Sequence, residues 1–315
     1  MKKVFKVIGK ILLGILILML LVLACTFTYN QIMLKKEAAL WQNPPGQYVT
    51  VGGHKMHIYT EGEGDHTIVL LSGWGDTSPY VNFLPLCQDL STDAKVVILE
   101  RFGYGFSDAV EGERTFDTIL EEDREGLKQA GINGPFVLCP HSIAGLEATL
   151  WAQKYPAEVE GIVGMDITVP GVDESLEKGA KEMKKILKTQ LPLMNFLSKS
   201  GIYRIMAGTT DDELEKIHAA IDYRSILNKT KINEFYHDID TCHEILNNPL
   251  PTAPTIQYVA KQNIESTPGW LEAHQALVDA SSNGKLVQLD CSHYVYRDEG
   301  ERIAKEIKEF LKTLN

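Results

Sequence analysis

The stretch CPHSIAG, residues 139–145, lies between an apolar run, PFVLC, and a helical pattern, LEATLWAQKY. Ser142 therefore stands where a buried strand is expected to end and a helix to begin. Ala144 and Gly145 are small enough for a tight turn at this junction, and such a turn exposes one side chain at the edge of a sheet. The simpler alternative is a serine that caps a helix. The motif predicts either a nucleophile or a cap, and the residues elsewhere in the chain that could act with a nucleophile distinguish the two.

The segments around this stretch alternate between strand and helix patterns. Continuous apolar runs, typical of strands buried on both faces, occur at 66–73, 95–100, 135–140 and 161–166. Helical patterns separate the later runs, as parallel strands require. A hairpin pattern, QYVTV-GG-HKMHIYT, precedes the first run. The chain is therefore expected to form an α/β fold, with a mostly parallel sheet flanked by helices.

Between about residues 170 and 250 the pattern changes to helices without strands, and the alternation resumes afterwards. A block of helices thus interrupts the α/β domain. We expect a domain organisation with an N-terminal segment at 1–36, the first part of the core at 46–169, the inserted helices at 170–250 and the second part of the core at 251–315.

The N-terminal segment has the composition of a transmembrane helix. Residues 11–29, ILLGILILMLLVLACTFTY, carry no charge over 19 positions, which is long enough to cross a bilayer. Four lysines precede this run and two follow it, which favours a cytoplasmic N-terminus. We expect a single-pass protein of the cell membrane, with the domain that carries Ser142 on the extracytoplasmic side. A cleaved signal peptide is the alternative. An anchor of this kind predicts that a chain without residues 1–36 is soluble and active.

The net charge of the chain is −11, although its first 36 residues hold six lysines and no acid. An acidic body argues against nucleic acid as a partner. The five cysteines have no metal-ligand spacing, and an odd number does not make a disulfide framework. We expect no metal and no cofactor.

A nucleophilic serine needs a base and an oxyanion hole. The candidate base is His293, in LDCSHYVYRDEGERIAKEI, between the last apolar run and the last helix. The oxyanion hole requires two backbone N–H groups. We assign these to Ile143, directly after the serine, and to Trp74 in the loop SGWG after the run HTIVLL. A glycine turn with a packed tryptophan is the simpler interpretation of that loop.

Four motifs together carry a family resemblance: LLSGWGDTSPY, LERFGYGFSD, PHSIAG and CSHY. In order and spacing they resemble the α/β-hydrolase superfamily from about Val49 to Leu314. The resemblance implies the α/β-hydrolase fold, a helical cap at 170–250, Ser142 as the nucleophile and His293 as its base. It also implies no need for a metal or cofactor.

The chain departs from the family pattern at three positions. Ser72 stands where histidine is usual, Glu100 where aspartate is usual and Pro140 where glycine is usual. We interpret Glu100, with Arg101 and Ser107, as residues that fix a loop over the sheet edge.

The acid of the triad has two candidates. The family most often places it after the seventh strand, where VAKQNIESTPGW offers only Glu265. Some members place it after the sixth strand, where this chain has Asp166 at the end of GIVGMD. We prefer Asp166, because it follows a buried strand at the carboxyl edge of the sheet. Glu265 is the alternative.

These assignments predict a membrane-anchored serine hydrolase that cleaves a carboxylic ester or an amide of a small molecule through an acyl-enzyme. Two other interpretations are a proline-type aminopeptidase and a non-catalytic protein that binds a ligand or partner on the same fold. Apolar side chains of the helical block are expected either to line the substrate pocket or to pack the cap itself: Met194, Phe196, Leu197, Ile202, Tyr203 and Met206.

Overall fold

In the computed structural model, residues 2–225, 228–234 and 237–314 are described. Within them, eight strands form one sheet: β1 Gln47–Val51, β2 His54–Glu61, β3 Thr67–Leu71, β4 Lys95–Glu100, β5 Phe136–Pro140, β6 Val159–Met165, β7 Thr255–Ala260 and β8 Gly284–Leu289. Their order is β1-β2-β4-β3-β5-β6-β7-β8. The pairs β1–β2 and β2–β4 are antiparallel, and the other pairs are parallel. The predicted mostly parallel sheet is confirmed.

The helices of the described residues are α1 Lys2–Glu37, α2 Pro79–Leu90, α3 Phe116–Gln129, α4 Ala144–Lys154, α5 Asp173–Ser200, α6 Ile202–Ala207, α7 Glu213–Ser225, α8 Lys229–Glu234, α9 Asp238–Leu246, α10 Lys261–Ser266, α11 Trp270–Ala280, α12 Val295–Asp298 and α13 Gly300–Leu311. Short 3-10 turns occupy Ala38–Trp41 and Pro156–Glu158. Helices α5 to α9 lie between β6 and β7 in the chain, where the sequence predicts an inserted block. Its function as a cap over 170–250 stays a prediction.

Local sequence explains why these elements begin and end where they do. The hydroxyls of Ser78 and Thr115 accept hydrogen bonds from the third helical N–H of α2 and α3 and thereby cap both helices. The strands at the centre of the sheet are buried along almost their whole length, as their uninterrupted apolar sequences predict. Each fully buried aliphatic side chain contributes roughly 1.5–3 kcal/mol, and this burial holds the sheet between its helical layers.

The register of the sheet brings two loops together. Strand β3 pairs with β5 so that Leu71 lies opposite Pro140, and the N–H of His141 donates to the oxygen of Leu71 at 2.9 Å. The loop after β3 and the turn after β5 therefore leave the same edge of the sheet side by side. This edge holds the carboxyl ends of the parallel strands, where α/β proteins place their ligands.

The chain forms two compact units, one of residues 1–43 with 184–226 and one of residues 44–183 with 227–315. The second unit contains the sheet and every residue predicted to belong to the catalytic site. In the first unit, α1 packs against α6 and α7. Helix α1 is long and apolar enough to cross a membrane, and its apolar side chains are exposed. The sequence pattern predicts that residues 1–36 are a separable segment. In the structure they form one compact unit with residues 184–226.

Candidate active site

Ser142 occupies a tight turn between β5 and α4. Its φ is +56°, in the left-handed region that residues other than glycine seldom adopt. A Cβ on Gly145 would overlap the Ile167 side chain, so glycine at 145 allows α4 to approach the segment after β6. The Thr168 N–H donates to the Ser142 backbone oxygen at 2.7 Å, which further fixes the turn. The turn holds the Ser142 side chain at the sheet edge, partly accessible to solvent.

His293 lies between Ser142 and Asp166. Its Nε2 is 2.9 Å from the Ser142 Oγ, and its Nδ1 is 2.6 Å from Asp166 Oδ2. The His293 side chain is 26% exposed, whereas that of Asp166 is fully buried. The structure thus joins a hydroxyl, an imidazole and a carboxylate from three separate loops into one chain of hydrogen bonds. Such an arrangement can remove a proton from the serine and stabilise the charge that forms on the imidazole.

Asp166 follows β6 directly and has a φ of +49°. Its Oδ1 accepts hydrogen bonds from the Ala260 N–H at 2.9 Å and from the Trp270 indole at 3.0 Å. Its Oδ2 accepts from the Asn263 amide at 2.7 Å. Donors from β7, α10 and α11 therefore hold this buried carboxylate in one orientation. From the sequence this stretch was expected to offer only an acid, and its amide and indole donors were not predicted.

Glu265 lies elsewhere. It is exposed on α10, and its charge acts on the neighbouring Lys261. The pKa of Lys261 is raised, chiefly by its contact with Asp290 and to a smaller extent by Glu265. Among the two predicted acids, the structure brings Asp166 to His293 and leaves Glu265 on the surface.

The loop after β3 contacts Ser142. A Cβ on Gly73 would lie 2.8 Å from the Ser142 Cβ and 2.9 Å from His141 Nδ1, so only glycine allows the loop backbone this close. The Ile143 N–H lies at the N-terminal end of α4, where backbone N–H groups have no partner within the helix. The two backbone segments predicted to hold an oxyanion are therefore adjacent.

The side chain of Trp74 packs as the simpler interpretation of its loop expects, and it also makes a hydrogen bond. Its indole N–H donates to the backbone oxygen of Lys231 at 2.6 Å. The Lys231 ammonium donates to the backbone oxygen of Asp76 at 2.9 Å. Helix α8 thus holds the loop from both ends. The Trp74 side chain is engaged in this way, and only its main chain is a candidate oxyanion donor.

His141 is a site residue that the sequence analysis missed. It is buried, and its ring centroid lies 4.7 Å from that of His293. Burial and the neighbouring His293 lower the pKa of His141 to about 3. The signal in the sequence was its position directly before Ser142.

Glu100 is fully buried below the loop that follows β4. Its carboxylate accepts hydrogen bonds from the N–H groups of Tyr80 and Phe106 and contacts His57 Nδ1 at 2.9 Å. A Cβ on Gly105 would overlap this carboxylate. Glu100 therefore fixes the loop, as the sequence analysis proposed. Within residues 2–225, 228–234 and 237–314, no group of three His, Cys, Asp or Glu side chains is arranged to hold a metal ion.

A family model described as alpha/beta hydrolase fold matches residues 66–192. The uncharacterized protein YbdG of Bacillus subtilis is 30% identical to this chain over 326 residues, across the full length of both proteins.

Solved structures give the same result for the fold. An epoxide hydrolase of Bacillus megaterium has a TM-score of 0.66 and 18% identity, and the match covers 84% of this chain and 100% of that one. A thermophilic esterase of Thermogutta terrifontis has a TM-score of 0.59 and 19% identity, over 85% of this chain and 99% of that one. With the sheet order, the tight turn at Ser142 and these matches, the chain belongs to the α/β-hydrolase superfamily.

Proposed function

We propose that this protein is a membrane-anchored serine hydrolase that cleaves a carboxylic ester, or an amide, of a small molecule through an acyl-enzyme. The observation that carries the proposal is the position of His293, 2.9 Å from the Ser142 hydroxyl and 2.6 Å from the Asp166 carboxylate. In this proposal Ser142 is the nucleophile, His293 the general base and Asp166 the acid that orients the imidazole.

The proposed reaction has two halves. The Ser142 Oγ attacks the carbonyl carbon while His293 Nε2 takes the hydroxyl proton, and the N–H groups of Trp74 and Ile143 donate to the resulting oxyanion. Collapse of this intermediate breaks the bond to the leaving group, which receives the proton from His293. Water then loses a proton to His293, attacks the acyl carbon and releases the carboxylic acid, and the proton returns to Ser142. No metal or cofactor takes part in these steps.

The identity of the nucleophile favours a carbonyl substrate. A serine that opens an epoxide would form an ether. Water does not hydrolyse an ether at neutral pH, so the enzyme would stop after one turnover. A serine acylated by an ester forms a new ester, which water can hydrolyse. The likeness to an epoxide hydrolase therefore supports the fold, and Ser142 supports acyl transfer. We favour esters over amides because an alkoxide leaving group needs less assistance from an acid.

We further propose that α1 is an uncleaved anchor, with the unit that contains the sheet on the extracytoplasmic side and the helices at 170–250 as a cap. The support is the length and exposure of the apolar helix and the excess of lysines before residue 11. Intact mass of the protein purified from membranes tests the alternative, because a cleaved signal peptide would remove residues from the N-terminus.

Covalent labelling tests the proposed chemistry. The full-length protein in detergent micelles is treated with a fluorophosphonate probe, beside Ser142→Ala, His293→Ala, Asp166→Asn and the surface control Glu265→Gln. We expect labelling of the wild type and of Glu265→Gln, none of Ser142→Ala, and strong losses in the other two. A folded wild type that does not label would exclude the serine hydrolase and favour the binding protein. Hydrolysis of 4-nitrophenyl esters against proline 4-nitroanilide then separates esterase from aminopeptidase.

A further inference from the structure

Helix α6 and the part of α5 from residue 184 onward belong to the same unit as α1, and they carry several exposed apolar side chains. Outside α1, and within the part of the chain that the structure describes, seven large apolar side chains are exposed. Five of them lie between residues 184 and 206, and we name them the apolar rim: Ile186, Leu193, Phe196, Ile205 and Met206. Exposed apolar groups concentrated in this way mark an interaction site rather than ordinary surface.

We propose that the apolar rim lies in the boundary between headgroups and acyl chains of the same bilayer that α1 crosses, so that a lipid surface is the partner of this part of the protein. The inference rests on the membrane anchor of the proposed function and extends it: the protein would be held by one spanning helix and also by a surface that lies on the membrane.

The first support is a rigid connection between α1 and the rim. Arg204 donates from Nε to Asn30 Oδ1 at 2.9 Å and from its terminal nitrogens to both carboxylate oxygens of Glu37. The side-chain amide of Asn30 donates to the backbone oxygen of Ser198 at 3.3 Å. Gly201, with a φ of +80°, lies so close to α1 that a side chain there would overlap the backbone of Thr26. These contacts set the height of residues 198–204 along α1.

The second support is the position of these contacts relative to the hydrocarbon core of the bilayer. Residues 11–29 of α1 extend over about 28 Å at 1.5 Å per residue, close to the roughly 30 Å of a bilayer's hydrocarbon core. Thr26 and Asn30 therefore lie where the hydrocarbon core ends. Phe196 precedes Ser198 by two residues, and Met206 follows Arg204 by two residues. Phe196, Ile205 and Met206 are thus placed within a few ångströms of the boundary, where half-immersed apolar side chains are stable.

The third support is charge. The segment 184–207 contains no acidic residue although the whole chain has a net charge of −11, and it carries exposed lysines at 185, 188 and 199. Lys35 and Lys36 are exposed just above the apolar run of α1. Basic residues beside apolar ones are the combination that favours an anionic membrane surface. A soluble partner with an apolar groove would not need this local reversal of charge.

Spin labels measure the depth of the rim directly. The full-length chain with Cys25→Ser and Cys291→Ser keeps three buried cysteines. It receives one nitroxide label at Phe196→Cys or Met206→Cys in vesicles of phosphatidylethanolamine and phosphatidylglycerol. Glu215→Cys, exposed on the polar surface of α7, is the aqueous control, and Leu18→Cys is the membrane reference. Collision rates of each label with oxygen and with a water-soluble nickel complex are compared.

We expect oxygen-to-nickel ratios at 196 and 206 that are several-fold above the ratio at 215 and below that at 18. Labels at 196 and 206 that resemble the label at 215, while position 18 lies in the bilayer, would overturn the rim and leave the anchor intact. Spin–spin broadening at 196 or 206 would overturn it in favour of a second copy of the chain. A label at 18 that is exposed to water would overturn both the rim and the anchor.

Discussion

His141 donates its Nε2–H to the backbone oxygen of His293 at 3.1 Å, so the residue before the proposed nucleophile is bonded to the proposed base. A carbonyl oxygen only accepts, which places the proton of His141 on Nε2. The ring is 3% exposed. This bond fixes the main chain of His293 against the turn that presents Ser142.

The buried His141 predicts a loss of stability in acid. Its pKa is lowered from 6.5 to about 3, by burial first and by His293 second. Between those pH values the unfolded chain binds a proton that the folded chain does not, so stability falls as pH falls, by about 1.4 kcal/mol per pH unit. We expect His141→Gln to flatten the decline of the unfolding temperature between pH 7 and pH 4.5. The exposed His54→Gln should follow the wild type, and equal slopes in all three proteins would contradict the prediction.

Gly73 predicts a steric effect on catalysis. Because a methyl group there would meet both the Ser142 Cβ and the ring of His141, Gly73→Ala must displace the loop that carries the Trp74 N–H. A displacement of about 1 Å costs roughly 100-fold in rate. We expect a loss of this size in kcat, measured with a 4-nitrophenyl ester, and slower fluorophosphonate labelling. Gly300→Ala is the control, since no atom lies within 4 Å of its added Cβ. Equal rates for both variants would argue against the close approach.

Asn263 and Trp270 are predicted to position Asp166 rather than to contact substrate. Each donates one hydrogen bond to a buried carboxylate, and a hydrogen bond to a charged group is worth about 1.5–3 kcal/mol. We expect Asn263→Ala and Trp270→Phe to lower kcat by about 10- to 100-fold with little change in KM. Glu265→Gln, on the same helix as Asn263, should have neither effect. A change confined to KM would indicate a role in binding instead.

The buried Asp123 predicts the opposite pH dependence, a stability that falls as the pH rises. Burial, followed by the charge of Glu147 and a hydrogen bond with Glu147, raises its pKa. The folded chain therefore holds a proton that the unfolded chain releases once the pH exceeds about 4, and stability is lost as pH rises. Asp123→Asn removes this titration and offers an N–H to Glu147. We expect its unfolding temperature to exceed that of the wild type at pH 7.5 and the difference to shrink at pH 5.

The exposed Asp89→Asn serves as the control for Asp123. It makes the same substitution at an exposed site on α2 and should leave the unfolding temperature unchanged at both pH values. A destabilised Asp123→Asn at pH 7.5 would mean that Asp123 is ionised in the folded protein.

The ion pair of Glu37 with Arg204 predicts that α1 stabilises the helices it contacts. The two side chains are 16% and 7% exposed, so Glu37→Gln leaves a nearly buried guanidinium without its full charge partner. We expect a loss of about 2 kcal/mol, seen as a lower unfolding temperature in detergent and earlier proteolysis between residues 184 and 226. The exposed pair of Glu213 and Lys216 is the matched control, and Glu213→Gln should cost less than about 0.5 kcal/mol. Equal effects would show that α1 is a passive anchor.

The same contacts change the expectation for truncation. From the sequence, removal of residues 1–36 should leave a soluble, active protein. In the structure this removal takes away Thr26 and Asn30, against which Gly201, Ser198 and Arg204 pack. We therefore expect the truncated chain to expose an apolar face at 184–226 and to associate in solution, even where the sheet remains folded.

The sequence by itself determined the strands, the order of strand and helix, and the positions of Ser142 and His293 at the ends of apolar runs. Those features are local, because a buried strand needs an apolar run and a tight turn needs small residues at adjacent positions. Which of Asp166 and Glu265 lies beside His293 was not a local property of the sequence. It depended on the pairing of β6 with β7, which brings the end of β6 under His293 and leaves α10 at the surface.

Tertiary structure alone decided the remaining features of the site and of the packing of α1. The donors Asn263 and Trp270 are about a hundred residues from Asp166 in the chain, and Arg204 is 167 residues from Glu37. No periodicity or spacing connects residues so far apart, because their contact arises only when the sheet register and the helix packing are set. The apolar pattern of α1 predicted a helix that can span a membrane, and only the packing showed which residues hold that helix to the rest of its unit.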